Sequence, residues 1–302
     1  MTPSRHRLRW ATDIHLDHLR VPAVIAFADD LFAGLTSDDA VVITGDISSA
    51  LPLTNHLRLL DEASARAHTN GVPWQFVLGN HDYYDGSIAD VRDAVRDFDR
   101  RCENGSWLGG KLYRYVADDA VLVGVDGWAD ARTGNPMTPV LMNDFQAIDE
   151  LADEMEPGSV LNWRRGASRD RLHAKLRELA DREAMTLHGQ LRSALDPDVG
   201  ARRVVIATHL PPWSSAAWHE GRTSSRDWCT YFVSSAVGTA IEDVARRRPD
   251  VKFAVLCGHT HGCGVVDVLP NLRCRTGGAD YGRPEVQATF DLDTPDAGGL
   301  FS

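Results

Sequence analysis

No stretch of this 302-residue sequence stays apolar for anything near the ~18 residues of a membrane span. The basic opening, Met1 to Trp10, runs into the charged Asp13–Arg20 segment instead of an apolar core, so no secretory signal is expected. The expectation is a cytoplasmic protein with no membrane partner. Cysteine is scarce: Cys102, Cys229, Cys257, Cys263 and Cys274 make an odd set with no C-x-x-C pair. That argues against a disulfide framework and against a thiolate zinc site. Basic residues are also in deficit, 32 Lys and Arg against 43 Asp and Glu, for a net charge of −11. Such a surface repels polyanions and argues against a nucleic-acid partner, because non-specific binding of that kind rests on basic side chains. A small phosphorylated substrate stays open, since bound metal ions can invert the local field. Repeats and low-complexity tracts are missing too, and the 43% apolar content is that of an ordinary globular chain.

What is present is an alternation. Short apolar runs bounded by Gly, Asp or Asn read as buried strands: Leu8–Ala11, Ala40–Thr44, Trp74–Leu78, Ala120–Val125, Val204–Thr208 and Phe253–Cys257. Helical patterns fall between them at Val21–Gly34, Leu53–Asn70, Ser87–Cys102, Asn143–Met155, Ser168–Leu195 and Val237–Arg248. Strands alternating with amphipathic helices predict an α/β fold in a single domain over 1–302. Residues 128–200 are the least regular part and read as a helical insertion, either a lid that shapes access or a cover over one sheet face. From Gly264 onward short strands (Val265–Val268, Leu272–Arg275, Val286–Phe290) suggest a second, largely antiparallel sheet.

The strand ends carry the chemistry. The six runs above are followed, in five cases, by metal-ligand residue types: Asp13-Ile14-His15, Gly45-Asp46, Gly79-Asn80-His81-Asp82, His209, and Gly258-His259-Thr260-His261. The carboxyl edge of an α/β sheet is where sites assemble. One Asp after a strand is ordinarily a turn or a cap, and one His in a loop is ordinarily solvated; five in phase are not explained that way. Imidazole favours zinc or iron, and carboxylate and amide oxygens favour manganese or magnesium, so the mixed set suits a pair of borderline ions. Two ions ~3.5–4 Å apart can clamp an in-line displacement at phosphorus.

D-x-H, G-D, G-N-H-D, H and G-H-x-H, in this order from Asp13 to His261, resemble the calcineurin-like metallophosphoesterase superfamily. The resemblance implies two facing mixed β-sheets flanked by helices, with a dinuclear site at one edge. It implies one ion (Mn, Fe or Zn) on Asp13, His15, Asp46 and His261, and a second on Asp46, Asn80, His209 and His259, with Asp46 shared. His81 would then be the catalytic residue beside the scissile phosphate, and a metal-bridging hydroxide the nucleophile. Asn80 and Tyr83 are the candidates for contact with substrate. Members of the family are often dimers, so a homodimer is an assembly the resemblance allows, though nothing in the sequence marks an interface.

Departures narrow the reading. Protein serine/threonine phosphatases continue the second motif as G-D-x-x-D-R-G, whereas here Gly45-Asp46 runs into Ile47-Ser48-Ser49-Ala50. The second Asp, which would orient His81, is missing, and Asp82 is the substitute at hand. Ser49 cannot replace the metal-binding Tyr of purple acid phosphatases. The pattern comes nearest to bacterial cyclic-nucleotide-phosphodiesterase-like enzymes, which share G-N-H-D/E, G-H-x-H and a continuation like His209-Leu210-Pro211-Pro212. A nuclease of the same superfamily and a non-catalytic scaffold are the alternatives. Trp213, Trp218, His219 and Trp228, among Ser214, Ser215, Ser224 and Ser225, read first as loop packing and second as a substrate wall. Cys257 and Cys263 read as small buried fillers.

Overall fold

The computed structural model describes residues 6–155, 167–294 and 296–301. Their strands, in chain order, are β1 (Arg7–Ala11), β2 (Ala40–Thr44), β3 (Trp74–Val77), β4 (Gly105–Trp107), β5 (Arg114–Ala117), β6 (Ala120–Val125), β7 (Arg203–Thr208), β8 (Trp218–His219), β9 (Arg222–Thr223), β10 (Lys252–Cys257), β11 (Gly264–Leu269), β12 (Leu272–Thr276) and β13 (Val286–Asp291). The helices are α1 (Val21–Phe32), α2 (Ala50–Ala67), α3 (Ile88–Arg101), α4 (Asp144–Ala147), α5 (Asp149–Ala152), α6 (Ala167–Ala194), α7 (Arg226–Phe232) and α8 (Ser235–Arg247).

Two sheets face each other. The first has the order β13-β1-β2-β3-β4 and the second β11-β12-β10-β7-β6-β5. Strands β1 to β4 run parallel, as do β12, β10, β7 and β6. The central strands AVVIT of β2 and AVLVGV of β6 are buried at every position. This is why they read as unbroken apolar runs: a parallel strand covered on both faces has no wet side to alternate toward. Successive side chains still point to opposite layers. Val42 of β2 belongs with Val205 and Leu256 to the layer between the sheets, while its neighbours Val41 and Ile43 belong to the outer layer with Val24, Phe32, Leu57 and Val95 of α1 to α3. On the other side α6 and α8 place Leu187, Leu191 and Ile241 over Val121, Val123 and Ile206. At ~1.5–3 kcal/mol for each fully buried aliphatic side chain, these three apolar layers dominate the favourable side of folding.

Two expectations need correction. The C-terminal strands do not make an antiparallel sheet of their own. β12 adds parallel to β10, β11 folds back on β12, and β13 crosses to the first sheet to pair antiparallel with β1 (Leu8↔Phe290). Each covers an open sheet edge, a requirement of the whole fold that local periodicity does not carry. The helix expected over Asn143–Met155 is broken into α4 and α5 at Ile148, whose extended backbone bridges Gly86. The insertion divides its roles: α6 lies in the layer on the second sheet, whereas Leu141, Met142 and Asn143 border a cavity. Its segment 156–166 lies outside the described residues. Among the described residues no helix is long and apolar enough to cross a membrane.

Candidate metal centre

The parallel strands of both sheets end at one edge. There β1 delivers Asp13 and His15, β2 Asp46, β3 Asn80 and His81, β7 His209, and β10 His259 and His261. The turns are strained. Of nine non-glycine residues with positive φ among the described residues, five are Asp13 (50°), His15 (39°), Asp46 (50°), His259 (70°) and His261 (56°). Left-handed backbone at a bulky residue persists where the surroundings over-determine it, and it gathers at functional sites. Backbone bonds lock these turns together: Asp13 N–H donates to Gly45 O (3.0 Å), His15 N–H to Asp46 O (3.0 Å) and Gly258 N–H to His209 O (2.9 Å). The glycines leave room for the donors. A Cβ on Gly79 would overlap Asp46 Oδ1, and one on Gly258 would overlap Asp13 Oδ2.

His81 apart, the remaining seven side chains form two donor sets. In the first, Asp13, His15, Asp46 and His261 place one ligand atom each within 4.8 Å of the others, and in the second Asp46, His209 and His259 do the same. His15 Nε2 stands 3.3 Å from His261 Nε2 and 3.8 Å from Asp46 Oδ2; His261 Nε2 stands 3.5 Å from Asp13 Oδ1. In the second set His209 Nε2 is 3.3 Å from Asp46 Oδ1 and 3.1 Å from Asn80 Oδ1, which is 2.9 Å from His259 Nδ1. Two donors bound at ~2.1 Å to one ion sit ~3–3.6 Å apart, so these spacings are those of shared ligation. The two oxygens of Asp46 face different sets, as a bridging carboxylate requires. His209 Nδ1–H donates to Thr44 O (2.9 Å), which leaves Nε2 as a lone pair aimed at two further acceptors. Acceptors turned on acceptors in a buried site need a cation between them.

With protons as the sole cations available, the cluster titrates abnormally. Against its own burial, which would lower it, the Asp46 carboxylate drives His209 up to about 10. Asp46 is held well below the usual range although burial opposes this, chiefly by His209 and His81. Burial pushes His15 down to about 3 and raises Asp13. The donor chemistry, two carboxylates, one amide and four imidazoles without thiolate, therefore fits a pair of divalent ions.

His81 lines a cavity of about 760 Å³ together with Asp46, Asn80, His259 and His261. Its backbone N–H donates to Asp46 Oδ1 (2.9 Å). The ring stacks on Tyr84 at 4.2 Å and 24°, and Tyr281 Oη comes to 3.5 Å from Nε2. Asp82 does not orient it. The Asp82 carboxylate accepts instead from the backbone N–H groups of Ile47, Ser48 and Gly79 (2.8–2.9 Å), tying two ligand loops together. Nor does Tyr83 border the cavity. It is fully buried, with its hydroxyl between Asp126 Oδ2 (2.8 Å) and Arg92 Nε (3.0 Å), and Tyr84 takes the place expected for it. A one-residue difference inside the short helical turn 81–83 decides which of two adjacent tyrosines faces inward.

The tryptophan loop divides. Trp213 bonds to Glu242 (2.8 Å) and Trp218 packs against Gly264, whereas Trp228, 45% exposed and stacked on Phe232 (5.1 Å), lines the cavity with His219, Ser224 and Ser225. Cys257 is buried as expected, but Cys263 is exposed. Sequence reasoning missed Tyr281, whose ring leans over His15 (4.5 Å) and His261 (5.0 Å). It also missed Asp144, and no spacing in the chain pointed to either.

The chain resembles known proteins in the same way. The profile of the calcineurin-like phosphoesterase family matches residues 7–263. A solved dimetal phosphatase from Danio rerio is 15% identical, with a TM-score of 0.54 over 95% of this chain and 92% of that one, a likeness of fold. A protein serine/threonine phosphatase from Saccharomyces cerevisiae is 13% identical over 93% of this chain and 69% of that one, with a TM-score of 0.34. No curated protein matches the sequence. With the profile covering most of its length and every motif in order, the chain belongs to the calcineurin-like phosphoesterases and is a metallophosphoesterase.

Proposed function

We propose that the protein hydrolyses a small phosphodiester or phosphomonoester with the help of two metal ions. The observation that carries this reading is Asp46, whose two oxygens serve two separate donor sets beneath an open cavity. Asp13, His15, Asp46 and His261 would hold one ion, and Asp46, Asn80, His209 and His259 the other. Ions held there would supply Lewis-acid charge at the phosphoryl oxygens and activate water at neutral pH. His81, which lines the cavity with Asp46, Asn80, His259 and His261, would give a proton to the leaving oxygen or a hydrogen bond to the phosphoryl group. Tyr84 restricts the swing of its ring. The volume is that of small-molecule sites. Among the described residues one basic side chain, Arg222, lines it, which is too few for a polymer of phosphates.

Hydrolysis of p-nitrophenyl phosphate and bis-p-nitrophenyl phosphate with added manganese tests the proposal. His81→Ala should lower kcat ~10²–10⁴-fold with metal content unchanged. Full activity in that variant would refute the role given to His81. Metal loading with no hydrolysis of either ester would favour the scaffold alternative.

A further inference from the structure

The missing second Asp of the G-D motif leaves open what fixes the geometry around His81, and the structure supplies a carboxylate from elsewhere. Asp144, buried at the start of α4 in the insertion, accepts two hydrogen bonds on Oδ1: from Asn80 Nδ2 (3.0 Å) and from Tyr84 Oη (2.5 Å). Asn80 is the amide of the second donor set, and Tyr84 is the ring stacked on His81. We propose that Asp144 is a positioning residue for both halves of the site, selecting which face of the Asn80 amide meets the metal and holding Tyr84 against His81. The inference rests on the metal-dependent reading above.

The argument is one of donors and acceptors. A side-chain amide can present either its oxygen or its NH2 group, and the two orientations have nearly the same shape. A carboxylate accepts and does not donate, so Asp144 can face only the NH2 group. Asn80 Oδ1 is thereby turned toward His209 Nε2 (3.1 Å) and His259 Nδ1 (2.9 Å), where an ion would sit. The opposite orientation would point N–H groups at a cation and leave two acceptors facing each other. The same oxygen anchors Tyr84, so the metal ligand and the ring behind His81 share one support. The insertion thus contributes to the chemistry as well as to access, and its Asp144 is more than sixty positions from the motif it serves.

The test exchanges the two groups. Asp144→Asn can present either end of its amide, so the selection is lost: the second ion should bind ~10–100-fold more weakly, the usual cost of removing a partner behind a ligand. Asn80→Asp alone opposes two carboxylates and should also lose that ion. The double variant Asn80→Asp/Asp144→Asn restores one carboxylate and one amide in reversed positions and should recover second-ion affinity above either single variant. Affinity is read by titrating manganese into chelated protein, with kcat and KM measured in parallel; kcat should track occupancy while KM stays near wild type. If Asp144→Asn does not fold, comparing the exchanged pair with Asn80→Asp gives the same answer. Wild-type protein taking up two ions while Asp144→Asn binds both at unchanged affinity, or an exchanged pair no better than the singles, would overturn the proposal. Wild-type protein that takes up no ions would instead overturn the metal-dependent reading itself.

Discussion

Two buried polar clusters draw on the same short segment, Leu78 and Tyr83 for one and Asn80 for the other, and they are built on opposite principles. Around Asp126 every acceptor has its donor. Oδ1 accepts from Leu78 N–H (2.8 Å) and Trp107 Nε1–H (2.9 Å), and Oδ2 from Tyr83 Oη–H (2.8 Å) and Arg92 (2.7 Å), whose guanidinium also pairs with Glu183 (2.7 Å). At the metal centre the bookkeeping does not close. His209 Nε2, its Nδ1–H given to Thr44 O, faces Asp46 Oδ1 and Asn80 Oδ1 without a proton to offer, His15 Nδ1 and His259 Nε2 are buried without a hydrogen-bond partner, and among the described residues Asp13 and Asp46 form ion pairs with imidazoles alone. A buried cluster that satisfies itself is architecture. One that needs an outside cation is a site. Both stand at strand ends: Asp126 follows β6 as Asp46 follows two residues after β2, so position does not separate them and partner chemistry does.

Removing the bridging carboxylate should have the largest effect. Asp46→Asn is expected to lower kcat/KM by ~10³-fold or more, equivalent to ~4 kcal/mol, in manganese-supplemented assays. The matching variant in the other cluster is Arg92→Met. It strands two buried carboxylates and should cost ~3–5 kcal/mol in denaturant unfolding, with metal stoichiometry unchanged. If Arg92→Met lost its metals while staying folded, the two clusters would be one.

The adjacent tyrosines sharpen the contrast. Tyr83→Phe leaves Asp126 short of a donor and should cost ~1–3 kcal/mol of stability with little change in kcat. Tyr84→Phe keeps the stack on His81 but frees it from Asp144, and should lower kcat several-fold with little change in melting temperature. Reversed outcomes would mean that the pair is assigned to the wrong clusters.

The smallest expected effect is a pH dependence belonging to neither cluster. Burial, reinforced by Arg177 and Arg169, lowers His173 from 6.5 to about 4 beneath Tyr231. Between those values the unfolded chain takes up a proton that the folded one refuses. Stability is therefore full above about 6.5, falls as pH drops toward 4, and levels off below. In chelated protein His173→Gln should flatten that part of the melting-temperature profile.

The sequence made much of the centre legible because its residues are short motifs at the ends of apolar runs. Buried parallel strands such as Ala40–Thr44 read as uninterrupted hydrophobic segments, so the ligand after each was easy to phase. Pairings across the chain were not legible. The partnership of β13 with β1, the break at Ile148, and the approach of Asp144 and Tyr281 to the site depend on how distant segments close edges and fill space. Tyr83 and Tyr84 mark the boundary: the motif located both, and only the turn geometry told which one faces the cavity.

The central claim, two donor sets joined at Asp46, is tested most directly by counting metal. Elemental analysis after manganese loading and desalting should find about two ions per chain in the wild type, about one in His15→Ala and in His209→Ala, and almost none in Asp46→Asn. Two ions retained by Asp46→Asn, or a single ion in the wild type that both histidine variants lose together, would contradict it.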